Sequence, residues 1–274
     1  MTQGILLFAH NSEEVNYGVM AVWMSERIAR FLGKPVSIVT DNYTVESLKA
    51  ISIDLKKYFD NVIINECNTT QTRRLSGENI IFKNLDRCDA YDLTPYDETL
   101  ILDIDIAIMS DRLNLVWDCA DNILISNKST DVIDRPYNEF GFLKDHGIEF
   151  QWATEFYFKK SEIAEAFFDK CKSIRDNYAW YSMLYGMSNH PMRNDHIWSI
   201  AIHEMNMPFN KIPRVLRFAT DLDDLVELSS ERALFNVKVK DGKTRLINIK
   251  DQDVHILNKF ELIVLSAIEL GIML

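Results

Sequence analysis

The chain opens on an uninterrupted apolar block, Gly4 to Ala9, the pattern of a strand buried on both faces. From Tyr17 to Leu32 the spacing changes. Val19, Val22, Trp23, Ile28 and Phe31 fall near helical intervals and predict a helix with one buried stripe. Gly33, Lys34 and Pro35 stop that helix, and Val36 to Thr40 is a second buried strand. Ser47 to Phe59 predicts another helical stretch, Asn61 to Ile64 a short third strand, and Glu98 to Met109 a long, strongly apolar one.

Strand, helix, strand, helix, strand is the order of an α/β fold with a mainly parallel, Rossmann-like central sheet flanked by helices. The second half is more mixed. Ile123 to Ser126 and Trp152 to Phe158 read as strands, and Glu162 to Arg175 as a helix with Ile163, Ala166, Phe167 and Ile174 on its apolar side. Ile197, Ala201 and Met205 mark a further helix. Phe235 to Ile249 alternates about Asp241-Gly242, a β-hairpin signal, and Phe260 to Leu274 reads as a packed terminal helix. No linker separates the halves, so the expectation is a single domain over 1–274 with a seam near Asp111.

Composition narrows the function classes. A formal net charge of −11 disfavours a broad surface that tracks nucleic-acid phosphates. It favours an acidic pocket joined to a phosphate ligand through a divalent cation. The cysteines, Cys67, Cys88, Cys119 and Cys171, form no C-x-x-C pair, so free thiols in a reducing compartment are expected. The apolar start lacks a basic region and is cut short by His10 and Asn11, which reads as a strand and not a signal peptide. The tail carries Glu261 and Glu269 and is shorter than a membrane span, so a cytoplasmic protein without a membrane partner is expected.

The stretch Leu100-Ile101-Leu102-Asp103-Ile104-Asp105-Ile106-Ala107-Ile108 carries the strongest chemical signal. On a strand, residues two apart share a face, so Asp103 and Asp105 point the same way. Two carboxylates crowded on a buried strand repel each other and are costly to desolvate. A cation between them relieves both costs; the alternative is a strand end where both acids cap loops or neighbouring helices. Ligands of such sheets gather beyond the carboxyl ends of the strands, which brings in His10 and Asn11 after the first strand and Asp41 after the second. Asn11 and Ser12 serve equally well as helix or turn caps. Arg73, Arg74, Lys83 and Arg87 precede the acidic strand, and one of them is expected to reach a phosphate.

In the order of these segments the sequence resembles the GT-A glycosyltransferases, with similarity to the glycogenin-type retaining group and a closer likeness to glycosyltransferase-like proteins of large tailed phages. The segments that carry the resemblance are Ala9-His10-Asn11, Thr40-Asp41, the D-x-D strand, Trp152 to Phe158, Asn194-Asp195-His196 and Val254-His255-Ile256-Leu257-Asn258-Lys259. The resemblance implies a GT-A fold with a nucleotide-sugar-binding half over 1–110 and an acceptor half over 111–274. It implies that Asp103, Asp105 and His255 bind Mn²⁺ or Mg²⁺, and an imidazole among oxygen ligands suits Mn²⁺ somewhat better. Donor contacts would come from Ala9, His10, Asn11, Thr40, Asp41, Arg74, Lys83, Arg87, Ile104 and Lys259. In the glycogenin-type group the basic residue stands further past the histidine, behind a glycine; Lys259 departs from that spacing.

The resemblance also places Asp195 beside the reacting sugar, where it would orient the acceptor or stabilise developing positive charge; a helix cap is the other reading of Asp195. Glu155 is the second candidate carboxylate. Trp152, Thr154, Asn194 and His196 would border the acceptor. The implied reaction moves a sugar from a nucleoside diphosphate sugar to a hydroxyl, and the phage likeness suggests a hydroxymethylated pyrimidine in DNA as that hydroxyl. Two other classes share features of the sequence. An aspartate-nucleophile phosphatase also uses D-x-D after an apolar strand, but its motif lies near the domain start with Thr or Val two residues on, where Ala107 stands here. A non-catalytic nucleotide-binding protein of the same fold is the third.

Overall fold

The first apolar block forms the strand Gln3–Phe8 near the middle of a seven-stranded sheet in the computed structural model. The structure describes the chain outside residues 67–70, 76–77, 84–85, 127–129, 132–141, 144–146, 188–189, 208–209, 213–215, 218–224, 230–233, 239–243, 249–250, 257 and 274. Backbone alone is described for the strands within 71–82, 130–131, 210–211 and 216–248.

Across the sheet the order is Asn210–Lys211, Ile123–Ser126, Trp152–Lys159, Glu98–Leu102, Gln3–Phe8, Val36–Thr40 and Asn61–Ile64. Gln3–Phe8 pairs in parallel with both Val36–Thr40 and Glu98–Leu102, and Val36–Thr40 in parallel with Asn61–Ile64. Trp152–Lys159 runs antiparallel to both of its neighbours. The fold is therefore α/β with a mostly parallel central sheet. The reversed strand matters for the site, because it brings its own beginning, Trp152 to Glu155, to the edge where the parallel strands end.

The inner strands Gln3–Phe8, Val36–Thr40, Glu98–Leu102, Ile123–Ser126 and Trp152–Lys159 are covered on both faces, whereas the edge strand Asn61–Ile64 is partly exposed. Leu100 and Leu102 pack on one side with Val19, Val22 and Trp23 of the helix Tyr17–Phe31 and with Leu262 of the helix Lys259–Leu270. Ile101, Phe156 and Phe158 pack on the other with Phe167 and Phe168 of Glu162–Asp176 and Trp198 of Asn194–Met205. Along Glu162–Asp176 the buried residues are Ala164, Phe167, Phe168, Cys171 and Ile174, while Ile163 is 40 % exposed. The expected apolar side is thus rotated, because the aromatic pair Phe167-Phe168 takes the centre of the face.

Two other expectations shift. The second helix spans Asn42–Ala50, followed by a short 3-10 turn Leu55–Lys57, and starts earlier than its apolar spacing suggests because Asp41 caps it, accepting from Thr44 N at 2.8 Å. The long acidic strand is two strands. Glu98–Leu102 belongs to the central sheet; after a turn, Ile106–Ala107 joins a separate four-stranded sheet in the order Ile106–Ala107, Val254–His255, Leu216–Arg217, Thr130–Asp131. The expected hairpin is present as Leu234–Lys238 paired antiparallel with Thr244–Asn248, extended by Leu225–Ser229; its Asp241-Gly242 turn lies outside the described residues. Among the described residues Cys88, Cys119 and Cys171 form no disulfide, and Cys67 lies outside the described residues. Among the described residues no helix is long and apolar enough to cross a membrane.

Candidate functional site

Asp103 and Asp105 stand in the turn just beyond Glu98–Leu102, not on the strand itself. Their convergence therefore does not come from strand parity. It comes from two ties that hold the turn. Asp103 N donates to Thr154 O at 2.8 Å, prolonging the ladder to the reversed strand, and Ile256 N donates to Asp105 O at 2.8 Å. The second tie fixes the ribbon Val254–His255 alongside Ile106–Ala107, with His255 opposite Ile106.

That ribbon delivers His255 to the acids. Its Nε2 lies 3.0 Å from Asp105 Oδ1 and 3.9 Å from Asp103 Oδ2. Ligand atoms of all three residues fall within 4.8 Å of one another. Two carboxylates and an imidazole at this separation form a donor set that could hold a small divalent cation. Asp103 is a quarter exposed, and Asp105 and His255 are buried, so among the three it is Asp103 that meets solvent.

The acids do not repel each other unopposed. Lys259, the first residue of its helix, places Nζ 2.5 Å from Asp105 Oδ2, and Arg87 places Nη2 against Asp103 Oδ1. Burial pushes the Asp105 carboxyl up, but the neighbouring His255 and Lys259 overcome it and hold the group well below the usual carboxylate range. Burial likewise lowers the Lys259 ammonium while Asp105 raises it, and the net direction is upward. Both signs describe one tight ion pair.

Arg87 extends the network. Its Nη1 donates to Ala153 O at 2.7 Å, and the amide of the same Ala153 donates to Asp195 Oδ1 at 2.8 Å. Pairing between Trp152–Lys159 and Ile123–Ser126 shifts register between Trp152 and Phe156, and this bulge leaves the Ala153 peptide to the two side chains. The other Asp195 oxygen meets Arg193 at 2.7 and 3.0 Å. The helix Asn194–Met205 has Arg193, not Asp195, at its N-cap, so Asp195 lies within the first turn and reaches across to a neighbouring element. Glu155 is buried opposite Leu102, and Thr154 is buried beside it. Trp152 stands edge-on to Phe150, and His196 Nδ1 is 2.9 Å from Tyr178 Oη. Asn194 is buried at the same helix start.

At the carboxyl ends of the first two strands, several expected donor residues already serve the scaffold. Ala9 N donates to Val39 O at 3.0 Å; Asn11 Oδ1 accepts from Gly18 N at 2.8 Å; His10 Nε2 donates to Asn65 O at 3.2 Å. Ile104 is buried in the core. Thr40 Oγ1 is buried with no partner among the described residues. Asp41 gives one oxygen to its cap and the other to Lys83 at 3.3 Å. Lys83 also lies 5.2 Å from the Tyr43 ring. Asn11, Ser12, Glu13, Tyr43 and Lys83 line a cleft of about 220 Å³. Arg74 lies on the strand Gln71–Leu75, whose side chains are outside the described residues.

Three residues escape sequence reasoning. Tyr43 borders the cleft, half exposed, and a Tyr after a capping Asp carries no local signal. Arg193 neutralises Asp195. Asp253 is buried and clasps the loop after Ile106–Ala107, its Oδ1 accepting from Met109 N at 2.8 Å and Ser110 N at 3.0 Å and its Oδ2 from Ser110 Oγ at 2.9 Å. Asp253→Ala leaves those buried donors unpaired and is expected to cost about 2–4 kcal/mol. Urea unfolding with an unchanged slope measures it; a loss below about 0.5 kcal/mol contradicts the clasp.

The chain matches no protein-family model and no curated protein sequence. Among solved structures it is similar to the galactosyltransferase LgtC, seen in complex with donor and acceptor sugar analogues, at 14% identity over 72% of this chain and 70% of that one, with a TM-score of 0.46. It is similar also to the apo form of the glycosyltransferase GlyE of Streptococcus pneumoniae, at 11% identity over 78% of this chain and 45% of that chain, TM-score 0.46. A third is the apo form of mouse xyloside xylosyltransferase 1, at 10% identity over 77% and 84%, TM-score 0.44.

Proposed function

We propose that the chain is a nucleotide-sugar-dependent glycosyltransferase that moves a sugar to a hydroxyl acceptor with the help of a divalent cation. The observation that carries this reading is the convergence of Asp103, Asp105 and His255 at the carboxyl edge of a mostly parallel sheet, flanked by Lys259 and Arg87. Asp103, Asp105 and His255 would hold the Mn²⁺ or Mg²⁺, which when bound supplies positive charge to the departing diphosphate.

The remaining roles belong to the chain's own groups. Lys259 and Arg87 bind the diphosphate oxygens as charged donors. The cleft between Tyr43 and Asn11 receives the nucleoside, with Tyr43 as a stacking face and Asp41 as acceptor for a base or ribose hydroxyl. Trp152, Thr154, Glu155, Asn194 and His196 border the acceptor, and Asp195 orients its hydroxyl or faces the developing positive charge. A hydroxymethylated pyrimidine in DNA is the acceptor suggested by the sequence resemblance. The net charge of −11 runs against a long DNA-tracking surface, so such an acceptor would be gripped locally, at the flipped-out base. A cytoplasmic setting belongs to the same reading.

Thermal-shift measurements test it directly. One nucleoside diphosphate among UDP, GDP, ADP, CDP and dTDP is expected to raise the melting temperature with Mn²⁺ and far less without it, because a ligand selective for the folded state stabilises it. Hydrolysis of the matching sugar donor should follow. No shift with any of them refutes the reading; a shift with no turnover of any donor or acceptor points to the non-catalytic nucleotide-binding protein.

A further inference from the structure

We infer that Lys259, through its ion pair with Asp105, keeps a free cation out of this site until a diphosphate offers its ammonium another anion. The inference rests on the proposed function and specifies the ligand its site accepts. The reason is a charge count at short range. Asp103 and Asp105 are each already paired, with Arg87 and Lys259 respectively, and His255 Nε2 faces the second Asp105 oxygen at 3.0 Å. Two acids and two bases leave the cluster neutral.

A divalent cation entering alone would add two uncompensated positive charges to a site where Asp105, His255 and Lys259 are largely buried. It would also compete with Lys259 for Asp105, depriving that ammonium of its direct ion-pair partner. Stranding a buried charge in this way is strongly unfavourable. The cation complex of a nucleoside diphosphate sugar changes both terms. Two ionised phosphate oxygens cancel the two charges of the cation, so a neutral ligand enters a neutral site. The same oxygens give Lys259 and Arg87 anions to pair with when Asp105 and Asp103 turn to the cation.

Position supports the exchange. Lys259 opens its helix directly after Asn258, whose side chain accepts from Glu261 N at 3.1 Å, and that helix is packed through Leu262. The Lys259 backbone is therefore fixed, and its flexible stem lets Nζ swing between a carboxylate and a phosphate without moving the helix. Arg87 has less of that freedom, since its Nη1 is also bound to Ala153 O. The exclusion therefore falls on Lys259.

The two ligands must then be coupled, each raising the affinity of the other by the same factor. Titration calorimetry on the whole chain, with Mn²⁺ alone, each of the five nucleoside diphosphates alone, and the pairs, reads this directly. The expected result is that Mn²⁺ binds at least about tenfold tighter when the cognate nucleoside diphosphate is present. Lys259→Met is expected to bind Mn²⁺ alone at least about tenfold more tightly than wild type while losing most of the coupling. Lys259→Arg, which keeps the charge, should still resist the free cation. Because Lys259→Met leaves Asp105 without its ammonium, melting temperature is followed as well: Mn²⁺ alone should stabilise this variant and leave wild type nearly unmoved. Equal Mn²⁺ affinity with and without nucleotide in wild type overturns the inference and leaves the proposed function standing, as does an unchanged free-cation affinity in Lys259→Met. Failure of Mn²⁺ to bind under every condition removes both.

Discussion

Asp105→Asn is expected to abolish cation-dependent binding of nucleoside diphosphates and to cost the unliganded protein about 3 kcal/mol. The first effect follows from removing a charged ligand at the centre of the Asp103, Asp105 and His255 cluster. The second runs against simple expectation. Two adjacent acids on a strand suggest mutual repulsion, which losing one would relieve. In the structure, the nearest charged partner of Asp105 is Lys259 at 2.5 Å, and the carboxyl is 8% exposed. Asparagine would leave the ammonium buried against a neutral amide. Asp105→Asn combined with Lys259→Met should recover most of the lost stability and none of the binding, which separates the two effects. Calorimetry with Mn²⁺ and nucleoside diphosphates reads the first, urea unfolding the second. A variant as stable as wild type, with cation-dependent binding intact, removes Asp105 from the site.

Asp195→Asn is expected to lower turnover by about a hundredfold while the donor dissociation constant stays near wild type. The sequence leaves a catalytic role and a capping role side by side, and Asn and Asp cap about equally well. The structure moves the question. Arg193 takes the cap position, and Asp195 holds the Ala153 amide, whose carbonyl in turn holds Arg87. Asparagine keeps an acceptor for Ala153 N but gives up the anion that Arg193 meets at 2.7 Å. If the carboxylate serves only this linkage, Asp195→Asn loses stability while turnover per folded molecule stays near normal. If it serves the acceptor, turnover falls with the melting temperature close to wild type. Steady-state rates, donor affinity and melting curves in one Mn²⁺ buffer decide between them. In the first case Glu155, on the same reversed strand, inherits the catalytic assignment.

Much of the central sheet is legible in the sequence because strands buried on both faces leave apolar runs, unbroken in Gly4 to Ala9 and interrupted only by small hydroxyl residues in Val36 to Thr40. The same property hides the break at Asp103. Apart from the two acids, apolar residues run from Leu102 to Ile108 because both sides of the turn are buried, and periodicity does not register that the chain changes sheets there. The pair of acids is visible as a pattern, but its geometry depends on a hydrogen bond to Thr154 O and one from Ile256 N, residues far along the chain. His255 and Lys259 carry no local mark of their task, and only the order of segments pointed to them. Asp41 was legible as a residue at the right edge but not as the cap that starts a helix, because a carboxylate after a strand suits either use. Asp253, Arg193 and Tyr43 have meaning only through contacts that folding creates.

The two ion pairs at the acids differ greatly in how far apart their partners lie in the chain. Asp103 meets Arg87, 16 residues earlier, whereas Asp105 meets Lys259 across 154 residues. During synthesis at about 5–20 residues per second, Asp105 therefore waits roughly 8–30 s for its counter-charge, while Asp103 already has its own upstream. Closing so long a loop also carries a larger entropic cost than closing the short one. Assembly of the site is thus ordered in time: half of it is available to a nascent chain, and the other half arrives only with the ribbon and helix that follow residue 253. A ribosome-bound intermediate would hold one neutralised acid and one bare one, a charge pattern that the finished molecule never presents.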